Sequence, residues 1–209
     1  MSPPEVKTLS EDSIVDAAVR ISEKEGYEAI SMRRLADEFD VTAMALYGYV
    51  STKQHLLELV ADRYVSELDL AEDVTDWRER VSRVLHALYD LLLERPVLAE
   101  VLTHQTVEAP AAYRMADMVI GLLREHGFSD EDAVETFHVL VSYTIGMALS
   151  RRPRIATKRE LGKRARRLQA NDEFPNLAEV AELFVNWEDS DFERGLQQLI
   201  ETRTKRRRR

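Results

Sequence analysis

The chain is expected to fold as an all-α protein, and three observations predict it. Apolar residues recur at helical spacing along most of its 209 residues, no sustained run alternates apolar with polar residues, and only seven Gly and six Pro interrupt the pattern. Hydrophobic residues make up 44% of the composition, enough to build a real core, and the length fits one large or two small domains.

The elements follow in order. After a Pro-containing lead at Ser2 to Lys7, a first helix is predicted from about Ser10 to Glu25, with Ile14, Ala18 and Ile21 on one side and Gly26 as its carboxyl-terminal stop. Ser31 caps a short second helix whose apolar face is Met32, Leu35, Ala36 and Phe39. Asp40 then takes the turn, as one of the few non-Gly residue types that tolerate a left-handed backbone. Thr42 caps a third helix that turns Val41, Ala45, Leu46 and Val50 inward, and Ser51 to Gln54 reads as a capping box opening a fourth, with Leu56, Val60, Tyr64 and Leu68 along one side. A fifth helix, about Asp76 to Glu94, carries the stripe Trp77, Val81, Val84, Leu85, Leu88 and Leu92, and Pro96 opens the next. Pro110 to His126 and Ser129 to Ser150 are apolar on more than one side, the pattern of helices central to a bundle. Pro153 breaks the periodicity, a basic and polar segment follows to Asn171, and helices resume at about Asn176 to Trp187 and Asp191 to Thr204. No internal repeat is evident.

Charge and composition narrow the function classes. The net charge of −9 is the wrong sign for coating nucleic acid by bulk electrostatics, and Met1 to Lys53 is itself acidic, with six basic and ten acidic residues. Positive charge gathers instead in Arg151 to Arg167 and in Lys205 to Arg209. Zero Cys removes disulfides, thiolate metal sites and cysteine nucleophiles together. No signal-peptide-like segment and no apolar run of membrane-spanning length is read, so a cytoplasmic protein without a membrane partner is expected. No close His/carboxylate pair stands out as a metal site, and no cofactor is predicted. An enzyme in the helical core finds no support in a nucleophile–base spacing, a phosphate loop or a paired-metal motif.

The most informative stretch is Gly26 to Leu57, where two short helices joined by a tight break make a helix-turn-helix whose second helix presents its outward face to a major groove. Arg33 to Ala36, then Leu46-Tyr47, Tyr49 and Lys53 stand in an order that resembles the tetracycline-repressor (TetR) family of transcriptional regulators, and Ser13 to Gly26 resembles that family's first helix. Asp40 departs from the family's usual Gly at the turn. The segment Phe174 to Phe184 followed by Asp191 to Ile200 resembles the tetracycline-repressor type of carboxyl-terminal domain, with Arg151 to Asn171 the least recognisable portion.

The resemblance implies a helix-turn-helix head at 1–52 and a helical effector-binding and dimerisation domain at 53–204, joined by the fourth helix; the run of like charges at 205–209 reads as a basic disordered tail. Ser31, Arg33, Thr42, Ala43, Met44, Tyr47, Gly48, Tyr49 and Lys53 are the expected DNA contacts. Arg33 holds the position of a base-reading Arg, whose fork can bridge guanine O6 and N7. Ala43 and Met44, lacking hydrogen-bonding side chains, suit thymine methyl groups, while Tyr47, Tyr49 and Lys53 suit phosphates. Pocket candidates are His86, Tyr89, His104, Tyr113, Met115, Met118, Phe137, His138, Tyr143 and Met147, with His104 and His138 orienting a ligand. Dimerisation is expected through the Ser129 to Ser150 helix and the last helices as a four-helix seam, with Phe184, Phe192, Leu196 and Leu199 as candidates. The expected function is a homodimeric repressor released from a pseudo-palindromic operator by a small apolar or amphipathic effector. The alternatives are a constitutive DNA-binding or interaction protein without effector, and a helical enzyme.

Overall fold

In the computed structural model, residues 9–104, 108–151, 157–185 and 190–206 are described. Among them the chain forms twelve α-helices and no strand, as the periodicity predicts. It divides into two compact units, Met1–Leu149 and Ser150–Arg209.

The first unit begins with α1 (Glu11–Glu25), opened by a reciprocal cap in which the Ser10 hydroxyl accepts from the Ser13 amide at 3.1 Å and the Ser13 hydroxyl accepts from the Ser10 amide at 2.9 Å. It ends at Gly26, whose φ of 89° and ψ of 168° lie where an L side chain is strained. A single 3-10 turn at Tyr27–Ala29 leads to α2 (Met32–Phe39), capped by the Ser31 hydroxyl on the Arg34 amide at 3.2 Å. The chain leaves α2 through Asp40 in the left-handed conformation, with φ 54° and ψ 45°, and the Val41 amide returns to the Ala36 carbonyl at 3.1 Å. That is a Schellman closure, built with Asp where Gly is usual.

After α3 (Ala43–Leu46), α4 (Lys53–Val65) starts one residue later than the sequence suggests. Thr52, not Ser51, is the cap: its hydroxyl accepts from the His55 amide at 3.0 Å, His55 Nδ1 accepts from the Ser51 amide, and Gln54 turns away to donate to Glu58. Leu56, Val60 and Tyr64 are buried as expected, but Leu68 lies beyond the helix end. α5 (Trp77–Glu94) is capped by Asp76, whose carboxylate accepts from the Arg78 and Glu79 amides, and α6 (Pro96–His104) comes directly after it.

α7 (Pro110–Glu125) opens on Ala109, a residue with no capping side chain, and α8 (Asp130–Ser150) buries Ala133, Thr136, Leu140, Thr144, Met147 and Ala148. By length and composition alone α8 is apolar enough to cross a membrane, which corrects the expectation that no run reaches that length. Its acidic first turn and its row of core-facing residues at helical spacing account for it as a packing helix.

The second unit holds α9 (Lys158–Gln169), α10 (Pro175–Glu179), α11 (Ala181–Val185) and α12 (Ser190–Arg206). The sequence pattern suggests a polar connection up to Asn171, yet α9 forms there with a full capping box between Thr157 and Glu160. Leu161, Ala165 and Leu168, at i, i+4 and i+7, pack on Ala181 and Val185 of α11. The single helix expected from Asn176 is instead broken at exposed Val180, and Trp187 lies outside the described residues. Lys205 and Arg206 close α12 rather than starting a tail, and 207–209 lie outside the described residues.

Candidate nucleic-acid interface

The candidate groove-reading element is a single helical turn, α3, held from behind. Leu46 and Val50 are fully buried, and the Leu46 carbonyl accepts from the amides of both Tyr49 and Val50 at 2.9 Å. α3 packs on α2, and α2 and α4 pack on α1, so the turn rests on a three-helix support. With Leu46 committed inward, its neighbours point out: Met44 is 76% exposed, Tyr47 45% and Tyr49 44%. Three large apolar or aromatic side chains clustered on a polar surface mark a contact site rather than a scattered exposure. Gly48 is exposed beside them, and a Cβ built there would sit 3.6 Å from the Ala45 carbonyl, in ordinary contact, so the local backbone does not demand glycine.

The other expected contacts stand in different environments. Thr42 stands at the N-cap position, but its side chain makes no capping bond, contrary to its assigned role, and its exposed hydroxyl is left for an outside partner. Ala43 is half-buried. Ser31 is half-buried with its hydroxyl accepting from Arg34, which leaves its proton to donate. The adjacent arginines differ: Arg33 is exposed, whereas Arg34 is bound at 2.6 Å to one Glu25 oxygen and at 3.3 Å to the other, and reaches Glu38 at 3.5 Å. That fork ties the end of α1 to α2. The hydrogen bond from Arg34 holds the Glu25 carboxyl below the usual carboxylate range.

Lys53 is half-buried at the first position of α4, with Nζ 5.4 Å from the centroid of the Tyr27 ring. This cation–π contact fixes the ammonium beside an α4 amino terminus whose Lys53 and Gln54 amides carry no hydrogen bond among the described residues. A lysine beside open helix-start amides has the donor chemistry that suits a phosphate.

Long-range contacts fasten α4 to the helices around it. Asp62 Oδ1 accepts from the Ala111 amide at 2.6 Å, supplying from α4 the cap that α7 lacks. Arg95, between α5 and α6, donates to Glu23 of α1 at 2.8 Å and lies 5.6 Å from the Tyr64 ring centroid. Burial pushes the Tyr64 phenol above its ordinary range. Arg63 of α4 in turn holds Asp12 and Asp16 of α1 at 2.6 and 2.9 Å. The one local signal for the Asp62 contact is the bare Ala109-Pro110 start of α7, which needs an acceptor from elsewhere.

The pocket candidates are not brought together as one set. Tyr89, Met115 and Met147 are buried, and Met118, Phe137 and Tyr143 half-buried. His86 is half-buried with Nδ1 2.8 Å from the Ser82 carbonyl, so that nitrogen serves the helix backbone. Tyr113, 57% exposed, and His138, exposed with its ring 5.5 Å from that of Phe137, lie on the surface. The His104 side chain lies outside the described residues. Among the described residues no cluster of three metal-ligating side chains occurs. Of the interface candidates, Phe192 and Leu196 are buried in the single chain at 2% and 0% exposure, so they offer a partner no surface, while Leu199 is half-buried and Phe184 is 54% exposed.

Residues 14–60 match the model for bacterial regulatory proteins of the tetR family, and residues 70–202 match that for the tetracyclin repressor-like carboxyl-terminal domain. The chain belongs to the TetR family. It is thus a helix-turn-helix transcriptional regulator and not an enzyme. Among its relatives is the HTH-type transcriptional repressor DrrR1 of Streptomyces coeruleorubidus, 29% identical over 207 residues that span 93% of this chain and 77% of that protein. The tetracycline repressor class A from transposon 1721 of Escherichia coli is 26% identical, over 95% of this chain and 92% of its own. Of solved structures, the TetR-family protein ActR of Streptomyces coelicolor in complex with actinorhodin is similar with a TM-score of 0.84 and 29% identity, covering 94% of this chain and 97% of that one.

Proposed function

We propose that this TetR-family regulator is a cytoplasmic homodimeric repressor that leaves a pseudo-palindromic operator when a small apolar or amphipathic molecule binds its helical body. Residues 1–52 form the reading head, and 53–204 the effector and dimerisation region. Two heads on a two-fold axis, about 34–36 Å apart, address adjacent major grooves. Met44, Tyr47, Gly48 and Tyr49 face the groove with Thr42 and Ala43, Arg33 reads a base, and Ser31 and Lys53 hold phosphates. The exposed α8 residue Val134, with half-buried Phe137, Val141 and Ile145, supports a subunit seam on that helix. In the second unit, taken by itself, exposed Phe184 and half-buried Leu199 are the interface candidates. Tyr89, Met118, Tyr143 and Met147 supply effector contact area.

The observation that carries this reading is α4 itself. It starts at Lys53 and is fastened at Asp62 to the first turn of α7, so any ligand that shifts α7 acts on the head through one helix. Relatives agree with the parts of it: DrrR1 is named a repressor, and ActR has been solved with actinorhodin and with (S)-DNPA bound.

The test is linkage. Compounds found by thermal shift are titrated against the operator complex, and operator against the ligand complex. The two affinities must fall by the same factor. Binders that stabilise the protein and leave operator affinity unchanged would overturn effector release.

A further inference from the structure

The charge of this regulator is divided unevenly along the chain. Residues 150–209 hold 16 of its 29 Lys and Arg but only 10 of its 38 Asp and Glu, so the remainder, reading head included, is strongly acidic. A protein whose purpose is to hold a polyanion keeps its cations away from the element that reads it.

The second unit concentrates them on α9, where six of twelve residues are Lys or Arg. At about 100° per residue, Leu161, Ala165 and Leu168 share the side that packs on α11, and Arg159, Lys163, Arg166 and Arg167 share the opposite side. All four are exposed, and among the described residues none carries an ion pair. The helix's single acid, Glu160, is spent on its own amino terminus, with Oε2 accepting from the Thr157 amide at 2.6 Å and the Thr157 hydroxyl at 2.9 Å. Those two hydrogen bonds hold its carboxyl below the usual range.

We propose that this face of α9 is a second, sequence-independent DNA-binding surface that takes duplex phosphates through Arg159, Lys163, Arg166 and Arg167. From Arg159 to Arg167 the helix rises about 12 Å, a length over which one strand of B-DNA presents about three to four phosphates. Three of the four cations are arginines, whose planar fork suits phosphate oxygens. An anionic membrane is the poorer partner, because a helix that lies on a bilayer inserts its apolar side, and here that side is occupied by α11. The surface adds salt-dependent, nonspecific affinity to the few phosphate contacts that the acidic head makes, and with it a means to hold duplex while the head searches.

The test compares the full-length wild type with R159Q/K163Q/R166Q/R167Q, a neutral variant whose Gln residues keep helix propensity, and with the charge-keeping R159K/R166K/R167K. Circular dichroism and light scattering establish that each is folded and of wild-type mass. Each protein is titrated over a salt series with a random duplex lacking any operator, and with vesicles of neutral lipid containing phosphatidylserine. The Gln variant is expected to lose about tenfold or more of its random-duplex affinity near 0.1 M salt, with a log–log salt slope shallower by about 2–4. The Lys variant keeps most of both. Random-duplex affinity and slope equal to wild type in the Gln variant overturn the proposal, as does a loss confined to vesicle binding. Operator specificity is read separately, so failure of the head to recognise any operator leaves this arm decisive on its own.

Discussion

Replacing Asp62 with Ala isolates the joint between the connecting helix and the body. Its carboxylate is the acceptor for the first amide N–H of α7, that of Ala111, at 2.6 Å, and Ala109 at the cap position has no side chain to take over. A lost cap costs about 0.5–2 kcal/mol, and Ala111 is only 4% exposed, so water reaches the orphaned donor poorly. An unpaired buried donor costs about 1–3 kcal/mol. The two descriptions overlap rather than add, and the expected loss is about 1–3 kcal/mol. Asp62→Asn keeps an acceptor but gives up the charge that complements the α7 amino terminus, so it should lose less. Urea unfolding at one fixed protomer concentration measures both, since a dimer's stability depends on concentration. An Asp62→Ala protein within about 0.3 kcal/mol of wild type would refute the reasoning that this bond caps α7. The same variant should respond more weakly to effector at the operator, because the joint that conveys movement of α7 is loosened.

Asp40→Gly is expected to stabilise the protein by about 0.5–1 kcal/mol, because Asp40 holds φ 54° without the freedom of glycine; a loss of stability on urea unfolding would contradict the left-handed turn. Glu25→Gln should destabilise the head at neutral pH. The Glu25 carboxyl is held below its ordinary range by Arg34, so its contribution is present above that range and lost as pH falls through it. The gap between the two proteins in thermal unfolding should therefore narrow as pH is taken below the usual carboxylate range, and a gap that does not change with pH would contradict the pairing.

Local rules are enough where local groups decide the outcome. Ser31 caps its helix, Gly26 stops α1, and Asp40 takes the left-handed turn, all from residue type and spacing. The core faces of α1 and α5 are likewise read from periodicity, and so is that of α2 except for Phe39, which is only half-buried. The start of α4 differs by one register at Thr52, since Ser51 and Thr52 are chemically near-equivalent caps and only the three-dimensional chain direction chooses between them. α9 is hidden in the sequence because its six cations leave an apolar stripe of three residues, and lowering the hydrophobic signal does not lower the helix propensity of Lys and Arg. Phe192 and Leu196 show the limit of periodicity: it marks an apolar face without telling whether the same chain or a second one covers it. Asp62 and Ala111, 49 residues apart, and Arg95 and Glu23, 72 apart, are invisible to any window that moves along the sequence.

The exposed turn around Met44, Tyr47 and Tyr49, with Lys53 at the start of α4, is the surface proposed to hold operator DNA. Operator sites are selected from a random duplex pool with the wild type, and anisotropy titrations then compare Tyr47→Ala and Lys53→Ala on the selected site. Both should keep wild-type helix content and dimer mass while losing about 3- to 10-fold in operator affinity near 0.15 M salt, and Lys53→Ala should flatten the salt slope by about one. Operator affinity and salt slope equal to wild type in both variants would contradict the account.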